Sequence, residues 1–357
     1  MKHTTKKYNK GDIILMYGNH QYNQNYNGID FVKWIMAIFV VAIHTHPFEN
    51  YTSGNILNIY NDLVKMAVPF FFISFGFLLF RKTDIIFYSD ENKTRVKKYI
   101  YRILKLYLLW NIVFIPITLY GYFTNGKGLL YNLAYYIRGF VFVGEQFYSW
   151  PLWYLLSTLY SLILIYIFMK LKLSHITAFI ISILFYVFGN IISLFIDNMD
   201  NLSGNLHMAA NMMNIIFGSG RLFTGIAYIA CGMLIAKYKM PFRWYYILFG
   251  VGIIILEKMG DISFLTFIPF IIICFVFFMC VMNLKLKDGV IWYWFRKSST
   301  VMYFTHMIFF FLYTLLFKKF RYYGMDAFII TIVCTIVFSA IVIIFENKSK
   351  IFKTLFS

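Results

Sequence analysis

The chain has 357 residues, of which 61% are hydrophobic, 22% aromatic and only 13% charged. A soluble domain of this length does not tolerate such a composition, so the sequence predicts an integral membrane protein. The formal net charge of +18 would suit a nucleic-acid-binding protein only if the chain were soluble.

Ten apolar segments are each long enough to cross a hydrocarbon core about 30 Å thick, which takes about 17–25 helical residues. They cover residues 30–47, 59–80, 101–121, 150–170, 176–197, 215–236, 244–259, 263–282, 299–317 and 326–345. The third begins with an amphipathic, basic stretch, and the boundary between the seventh and eighth is weakly marked. Residues 129–143 are predicted to form an interfacial or re-entrant helix. The predicted fold is an all-α bundle of about ten transmembrane helices.

The basic residues are distributed unevenly between the two sides of this predicted bundle. If both termini are cytoplasmic, 24 of the 33 Lys and Arg residues lie in inner segments and six in outer ones. This asymmetry obeys the positive-inside rule and predicts a multi-pass membrane protein with both termini cytoplasmic. The positive charge then reflects topology and contact with anionic membrane lipids, so no nucleic-acid partner is expected.

The domain organisation is predicted to be simple. Residues 1–28 are polar, lack the features of a cleavable signal peptide and are expected to be a cytoplasmic tail. Residues 29–345 form the predicted membrane domain, and residues 346–357 a basic cytoplasmic tail. No appended soluble catalytic module is expected. The four cysteines are scattered through apolar spans without a CxxC motif, which predicts small core residues and no metal site.

The first span carries three ionisable residues that lipid should exclude: Asp30, Lys33 and His44. On a helix, Lys33 and His44 return to within about 20° of each other, and Asp30 lies about 40° from the same stripe, over about 20 Å of rise. A lysine at the centre of a span costs roughly 3 kcal/mol on insertion scales, so such residues usually face the protein interior and mark function. This helix face is therefore predicted to line an active site.

Five segments together resemble membrane acyltransferase family 3, the integral-membrane, acyl-CoA-dependent acyltransferases of bacteria. Asp30, Lys33 and His44 match the spacing of an Asp, an Arg and a His on that family's first span, with Lys in place of Arg. The second span is similar through Lys65, Val68, Pro69, Phe70, Phe71 and Gly76, with Phe75 at the usual Ser position.

The other three resembling segments lie later in the chain. Residues 150–154 (WPLWY) are similar to the signature of the family's fourth span, with Pro151 where many members have His. Arg221, with Phe223 and Gly232, resembles an Arg-bearing span that ends in a small-residue turn. Residues 299–306 (STVMYFTH) are similar to the late motif that ends in Tyr-x-x-His, here Tyr303 and His306.

The resemblance implies an enzyme that moves an acyl group, here expected to be acetyl, from cytoplasmic acyl-CoA to a hydroxyl of an envelope glycan or lipid-linked sugar. Acyl-CoA would be a co-substrate, with no permanently bound cofactor. The candidate catalytic residues are His44, Lys33, Asp30 and His306. The candidate substrate- or CoA-binding residues are Lys65, Arg221, Tyr303, Trp153 and Tyr154. Assembly into a homo-oligomer is left open by the sequence.

His44 has two open interpretations. A neutral imidazole in an apolar pocket is basic near pH 7 and fits a general base that deprotonates an acceptor hydroxyl. The alternative is a structural histidine that bonds to backbone. His46 is about 200° away on the helix, so a shared metal site is not predicted; it is expected at the outer end of the span. Asp30 is too far along the helix to orient the ring, so a partner of His44 must come from another span.

Lys33, Lys65 and Arg221 form a set of intramembrane cations that nearby acids cannot fully balance. Asp30 and Asp62 each precede one of the lysines by three residues, whereas Arg221 has no acid within reach on its own helix. The cations either form ion pairs between helices or bind an anion. For Lys33 that anion would be the phosphates of CoA; for Lys65 and Arg221 it would be either those phosphates or a developing oxyanion.

The remaining polar and aromatic candidates also have structural explanations. His306 can make polar contacts to neighbouring helices, and Trp153 and Tyr154 can belong to the aromatic belt and core. Arg138, with Glu145 nearby, fits either contact with an acceptor sugar or a solvated interfacial face.

Two other functions compete with acyl transfer. A transporter or flippase for an amino acid or glycan lipid would predict inverted repeats and matching broken spans, and the sequence contains neither. A non-catalytic membrane partner in envelope assembly would leave the intramembrane cations unexplained.

Overall fold

The computed structural model describes residues 26–49, 54–84, 86–259, 267–317 and 323–356. Within these ranges the chain is helical and has no strand, so the all-α prediction is confirmed. The first seven helices are α1 (Asn27–Thr45), α2 (Asn55–Lys65), α3 (Ala67–Phe80), α4 (Asp90–Thr124), α5 (Leu129–Arg138), α6 (Leu152–Lys170) and α7 (His175–Asp197). The remaining seven are α8 (Gly204–Phe217), α9 (Thr224–Tyr238), α10 (Tyr245–Met259), α11 (Phe267–Met282), α12 (Ile291–Phe317), α13 (Met325–Phe345) and α14 (Lys350–Phe356).

Eight stretches of the described chain are long and apolar enough to cross a membrane. They are Asn27–Thr45, Leu57–Phe80, Asp90–Thr124, Leu152–Lys170, His175–Asp197, Gly220–Tyr238, Ile291–Phe317 and Met325–Phe345. These eight correspond to eight of the ten predicted spans. The other two correspond to α10 and α11, whose described parts have 15 and 16 residues, or about 22 and 24 Å of helix rise. Their predicted boundary lies within residues 260–266, outside the described ranges.

Three predicted spans differ from the helices in their bounds. The third lies inside the 35-residue α4, which begins much earlier because Ser89 caps it by accepting a hydrogen bond from the Asn92 backbone N–H. The ninth lies inside α12, which begins at Ile291 instead of residue 299. The sixth is interrupted at Gly218, whose φ of +64° ends α8, and a 3-10 turn over Gly220–Phe223 then leads into α9.

α1 is central to the bundle because it packs against α3, α12 and α13. The stripe that carries Asp30, Lys33 and His44 therefore has helical neighbours to face. Its apolar positions Val32, Met36, Val40 and Val41 are all buried. The helix has a basic end, which carries Asp30 and Lys33, and a histidine end, which carries His44. The side of the molecule around each end of α1 takes the same name.

α3 and α9 approach each other closely at two glycines. A Cβ atom on Gly76 would overlap the backbone of Ile229, and one on Gly232 would overlap the backbone of Ile73 and Phe77. Small residues allow this kind of close helix contact inside a membrane. Gly232 therefore lies within a helix, not in the turn that the resemblance implied.

The predicted C-terminal tail contains a helix that packs against the bundle. The Trp110 indole of α4 donates a hydrogen bond to the Leu355 carbonyl at 3.0 Å, and the Phe356 side chain is buried. Glu346, also buried, pairs with Lys297 at 2.5 Å. The predicted N-terminal tail lies almost entirely outside the described ranges, and the cytoplasmic orientation of both termini stays a prediction.

Candidate active site

Two histidines from different helices meet at the histidine end of α1. The His44 and His306 ring centroids lie 5.3 Å apart. His306 is completely buried, and its Nδ1 donates a hydrogen bond to the Met302 carbonyl at 2.9 Å. Because a carbonyl can only accept, the proton is on Nδ1 and the Nε2 atom carries a lone pair. That Nε2 is buried and has no hydrogen-bond partner among the described residues.

An aromatic wall borders the histidine pair. The Trp150 ring centroid is 5.8 Å from that of His44. Trp150 is held by the start of α6, where the Pro151 carbonyl accepts a hydrogen bond from the Tyr303 hydroxyl. Tyr154 lies 5.5 Å from Tyr303 between ring centroids. The structure thus brings together the predicted motifs at residues 150–154 and 299–306 beside the histidine of the first span.

The loop before α6 passes close to Trp153. Gly144 has a φ of +76°, and a Cβ atom there would overlap the Trp153 backbone. A side chain at this position would push the loop away from α6. Gly144 therefore helps to hold Glu145 beside the predicted aromatic residues.

The basic end of α1 contains an ion pair that differs from the predicted one. The Asp30 carboxylate, which is buried, accepts hydrogen bonds from Arg296 Nε at 3.0 Å to both oxygens and from Nη2 at 2.5 Å. Its forked contact is to Arg296 on α12 instead of to Lys33 on its own helix. In the sequence, Arg296 is only one of the 24 Lys and Arg residues predicted to lie in inner segments, and no role is predicted for it. The aromatic run IWYWF at residues 291–295 was the available signal that α12 extends back to include it.

A cavity of about 250 Å³ opens at this basic end. Its lining contains five cations and one carboxylate: Lys33, Arg81, Lys82, Arg95 and Arg296, together with Asp30. A second cavity, of about 580 Å³, shares Tyr26, Arg81 and Lys82 with the first and adds Lys237, Lys239 and the carboxylate of Asp84. Its other walls include apolar side chains of Phe77, Phe80, Met279 and Met282. The two cavities form one basic vestibule that suits a polyanion with apolar parts.

Lys65 does not take part in this vestibule. It is the last residue of α2, its side chain is 67% exposed, and its Nζ lies 4.0 Å from Asp62. The expectation that it faces the protein interior is therefore corrected. Residues 55–65 are rich in Asn and Asp, and the helix is interrupted at Met66 before the fully apolar α3 begins.

Arg221 has an acidic partner that its own helix does not supply. It lies in the 3-10 turn before α9, and its Nη1 donates to Glu145 Oε1 at 2.7 Å. The guanidinium also lies over the Trp153 ring, 5.8 Å from its centroid, and 55% of the side chain is exposed. The expected unpaired guanidinium within a span is thus corrected, because the break at Gly218 places Arg221 at the end of the span.

Two further cavities lie at the histidine end. One, of about 490 Å³, is lined by aromatic side chains that include Trp150, beside His44. The other, of about 340 Å³, is lined by Arg138, Asn214, Gly218 and Arg221, among others. The two share Tyr135 and Glu145. The histidine pair therefore lies at the same end of α1 as the aromatic and polar cavities, next to the Trp150 that lines one of them, and the basic vestibule lies at the other end.

Comparison with known proteins yields partial matches to bacterial racemases. An amino-acid racemase of Enterococcus faecalis is 35% identical over 125 residues, or 35% of this chain and 17% of the relative. A second amino-acid racemase of that species is 28% identical over 167 residues, 47% of this chain and 22% of the relative. A serine/alanine racemase of Enterococcus gallinarum is 35% identical over 124 residues, 30% of this chain and 17% of the relative. The chain thus matches only about a fifth of the length of these relatives.

No solved structure matches the chain significantly. A family model described as an acyltransferase domain matches residues 26–344, which include both histidines, the basic vestibule residues and the loop before α6. The match covers almost the whole chain and extends from the first candidate span to within one residue of the end of the last. The chain therefore belongs to membrane acyltransferase family 3.

Proposed function

We propose that this chain transfers an acetyl group from acetyl-CoA to a hydroxyl of an envelope glycan or lipid-linked sugar at a bacterial plasma membrane. The observation that supports the proposal is the His44–His306 pair, which lies beside Trp150 of the aromatic cavity and on the same helix as Lys33 of the basic vestibule. A two-substrate transfer needs such an arrangement, with a base placed where the donor and the acceptor meet.

The basic vestibule fits the donor. CoA carries a diphosphate and a 3′-phosphate, and arginine and lysine bind phosphate by forked and point-charge contacts respectively. Asp30 holds Arg296 by two-pronged contacts, which orients that guanidinium for a further ligand. Lys33 and His44 are separated by eleven residues, or about 16 Å of helix rise, a length comparable to the extended pantetheine arm of CoA. Phosphates at Lys33 would therefore leave the thioester near His44.

In the proposed reaction, the acceptor hydroxyl oxygen attacks the thioester carbonyl carbon while His44 accepts the hydroxyl proton. A carbon–oxygen bond forms, the carbon–sulfur bond breaks, and the CoA thiolate takes the proton from His44. The products are an ester and the free CoA thiol. The Nε2 lone pair of His306 lies beside His44 and is the second group in the site that can hold this proton.

The test uses purified full-length protein and radiolabelled acetyl-CoA, with total envelope glycans as acceptor. We expect His44→Gln and His306→Gln each to reduce transfer at least about a hundredfold, the typical contribution of a general base, without lowering the melting temperature. His46→Gln is the control, because its side chain is about half exposed at the end of α1. Full transfer by well-folded His44→Gln would overturn the assignment of the base.

The similarity to segments of amino-acid racemases favours a second candidate, a transporter of amino acids. Proteoliposomes that contain the wild-type protein would then take up radiolabelled serine or alanine. Uptake together with a failure of CoA to raise the melting temperature would favour transport over acyl transfer. Absence of uptake with a CoA-dependent rise in melting temperature would favour the acyltransferase.

A further inference from the structure

The 340 Å³ cavity at the histidine end contains more positive than negative charge. Arg138 of α5 and Arg221 of the turn before α9 both line it, and Glu145 is the one carboxylate in its lining. Glu145 pairs with Arg221 at 2.7 Å. The other guanidinium, that of Arg138, has no carboxylate within hydrogen-bond distance among the described residues that line this cavity.

Arg138 is held in place but is incompletely bonded. Its Nη2 donates to the Asn214 carbonyl at 2.7 Å, and the guanidinium lies 5.4 Å from the Tyr135 ring centroid. Its Nε is buried and has no hydrogen-bond partner among the described residues. The guanidinium is thus short of hydrogen bonds, and the part of Arg138 that lines the cavity can donate to a bound anion.

The backbone at Gly218 lies close to Arg138. Gly218 has a φ of +64°, and a Cβ atom there would lie 2.7 Å from Arg138 Nη2. A side chain at this position would crowd the guanidinium. The break between α8 and α9 thus places Gly218 and Arg221 in the lining of the same cavity as Arg138.

We infer that Arg138 and Arg221 form a subsite for an anionic group, a carboxylate or phosphate, carried by the acceptor beside the reacting hydroxyl. The inference rests on the proposed function only in assigning the anion to the acceptor. The cavity shares Tyr135 and Glu145 with the aromatic cavity that reaches Trp150 and thus His44. An acidic sugar, or a sugar linked through phosphate, would place its charge at Arg138 and its ring along the aromatic wall.

Binding of glucuronate to the purified full-length protein tests this subsite without any need for turnover. Trp153 lies 5.8 Å from the Arg221 guanidinium, so tryptophan fluorescence is a suitable readout. We expect glucuronate to bind at least about tenfold more tightly than glucose, since charge-assisted hydrogen bonds add more than neutral ones. Equal affinity for the two sugars would overturn the inference.

Two arginine variants and one lysine variant show where the selectivity comes from. Arg138→Gln should lose most of the preference for glucuronate, and Arg138→Lys should keep part of it. Lys65→Gln is the charge-matched control, because its exposed side chain lines neither cavity of the histidine end. If Lys65→Gln weakens glucuronate binding as much as Arg138→Gln does, the preference is a property of the overall charge and no subsite exists.

The same variants distinguish a lipid headgroup from a glycan as the source of the anion. In nanodiscs of phosphatidylcholine, glucuronate should bind as in detergent. Two results together would assign the subsite to a lipid headgroup. Glucuronate binding would be lost in nanodiscs rich in phosphatidylglycerol, and the purified wild-type protein, but not Arg138→Gln, would retain phosphatidylglycerol.

CoA binding separates this inference from the proposed function. CoA should bind Arg138→Gln as it binds the wild type, because the basic vestibule does not include Arg138. CoA binding without glucuronate selectivity would overturn the subsite alone. Glucuronate selectivity without CoA binding would overturn the acyltransferase proposal and leave the anion subsite in place.

Discussion

Lys33 and Lys65 have the same side chain, and each follows an aspartate by three residues, yet their surroundings differ. Lys33 lines the basic vestibule with Arg81 and Arg296, and its neighbouring aspartate is engaged by Arg296. Lys65 ends α2, with a side chain that is 67% exposed. An exposed ion pair contributes little free energy, whereas a cation in a cavity can bind a ligand.

Lys33→Met is therefore expected to weaken CoA binding at least about tenfold, since a phosphate loses a charge-assisted contact. Lys33→Arg should bind within a few-fold of wild type, because arginine keeps the positive charge and can also bind phosphate. Lys65→Met removes the same charge outside the vestibule and should leave the affinity unchanged. Calorimetry on the purified protein measures all three. An equal loss for Lys65→Met would show that only overall charge matters.

Glu145 gives the anion subsite a predicted dependence on pH. Burial raises the pKa of the Glu145 carboxyl, and the nearby guanidinium groups of Arg221 and Arg138 oppose that rise. The carboxyl thus protonates at a higher pH than an ordinary glutamate. Protonation removes a negative charge that faces Arg221, Arg138 and Tyr135, and so increases the attraction for an anion.

Glucuronate affinity is consequently expected to rise as the pH falls from 7 to 5, while the sugar carboxylate itself stays ionised. In Glu145→Gln the neutral amide should give tight binding at pH 7 and a flat profile. Fluorescence titrations at several pH values check both. A profile that keeps its slope in Glu145→Gln would assign the titration to another group.

At the scale of helices, the contact between α3 and α9 depends on two positions that lack a side chain. The backbone of each helix occupies the place where the other would carry a Cβ atom, at Gly76 and at Gly232. This contact fixes the distance between α3 and α9. The turn that precedes α9 contains Arg221. Packing at these glycines therefore contributes to the position of the histidine-end cavities.

Gly232→Ala should lower the melting temperature of the purified protein, because overpacking of a tight contact costs about 1–3 kcal/mol. Gly252 of α10 is the control position, because a Cβ atom there would have no neighbouring atom within 4 Å. Gly252→Ala should be neutral or slightly stabilising, since alanine is the better helix former. Equal effects of the two variants would show that α3 and α9 can move apart without cost.

Periodicity predicted which residues share a face of α1, but not which residues face them. The stripe of Asp30, Lys33 and His44 follows from helix geometry alone. The partners Arg296 and His306 both belong to α12, more than 260 residues further along the chain, and their contacts arise only from tertiary packing. Arg221 was predicted within a span because hydropathy does not register a break at a single glycine, here Gly218.

At the scale of the whole molecule, the charges are concentrated at one end. The vestibule at the basic end is lined by seven lysines and arginines: Lys33, Arg81, Lys82, Arg95, Lys237, Lys239 and Arg296. The positive-inside rule predicts that this end faces the cytoplasm, where acyl-CoA is available. The opposite end would then face the envelope glycans.

Cysteine labelling of intact cells tests this orientation. In a variant whose four native cysteines are replaced, a membrane-impermeant maleimide should label Lys127→Cys, near the histidine end, but not Lys172→Cys. Both positions are accessible in the structure, so contact with solvent is not limiting. Permeabilised cells should label both variants. The reverse pattern would place the vestibule outside, away from cytoplasmic CoA, and would contradict the proposed donor.

Cavities at both ends of α1 allow two substrates to occupy the protein at the same time. Both substrates can therefore be bound before any product is released, and the reaction does not need a covalent acyl-enzyme intermediate. Initial-rate plots against one substrate at fixed levels of the other should then give intersecting lines, not parallel ones. Each turnover would also carry an acyl group from a thioester on one face of the membrane to an ester on the other, so that the chemistry itself moves the group across the bilayer.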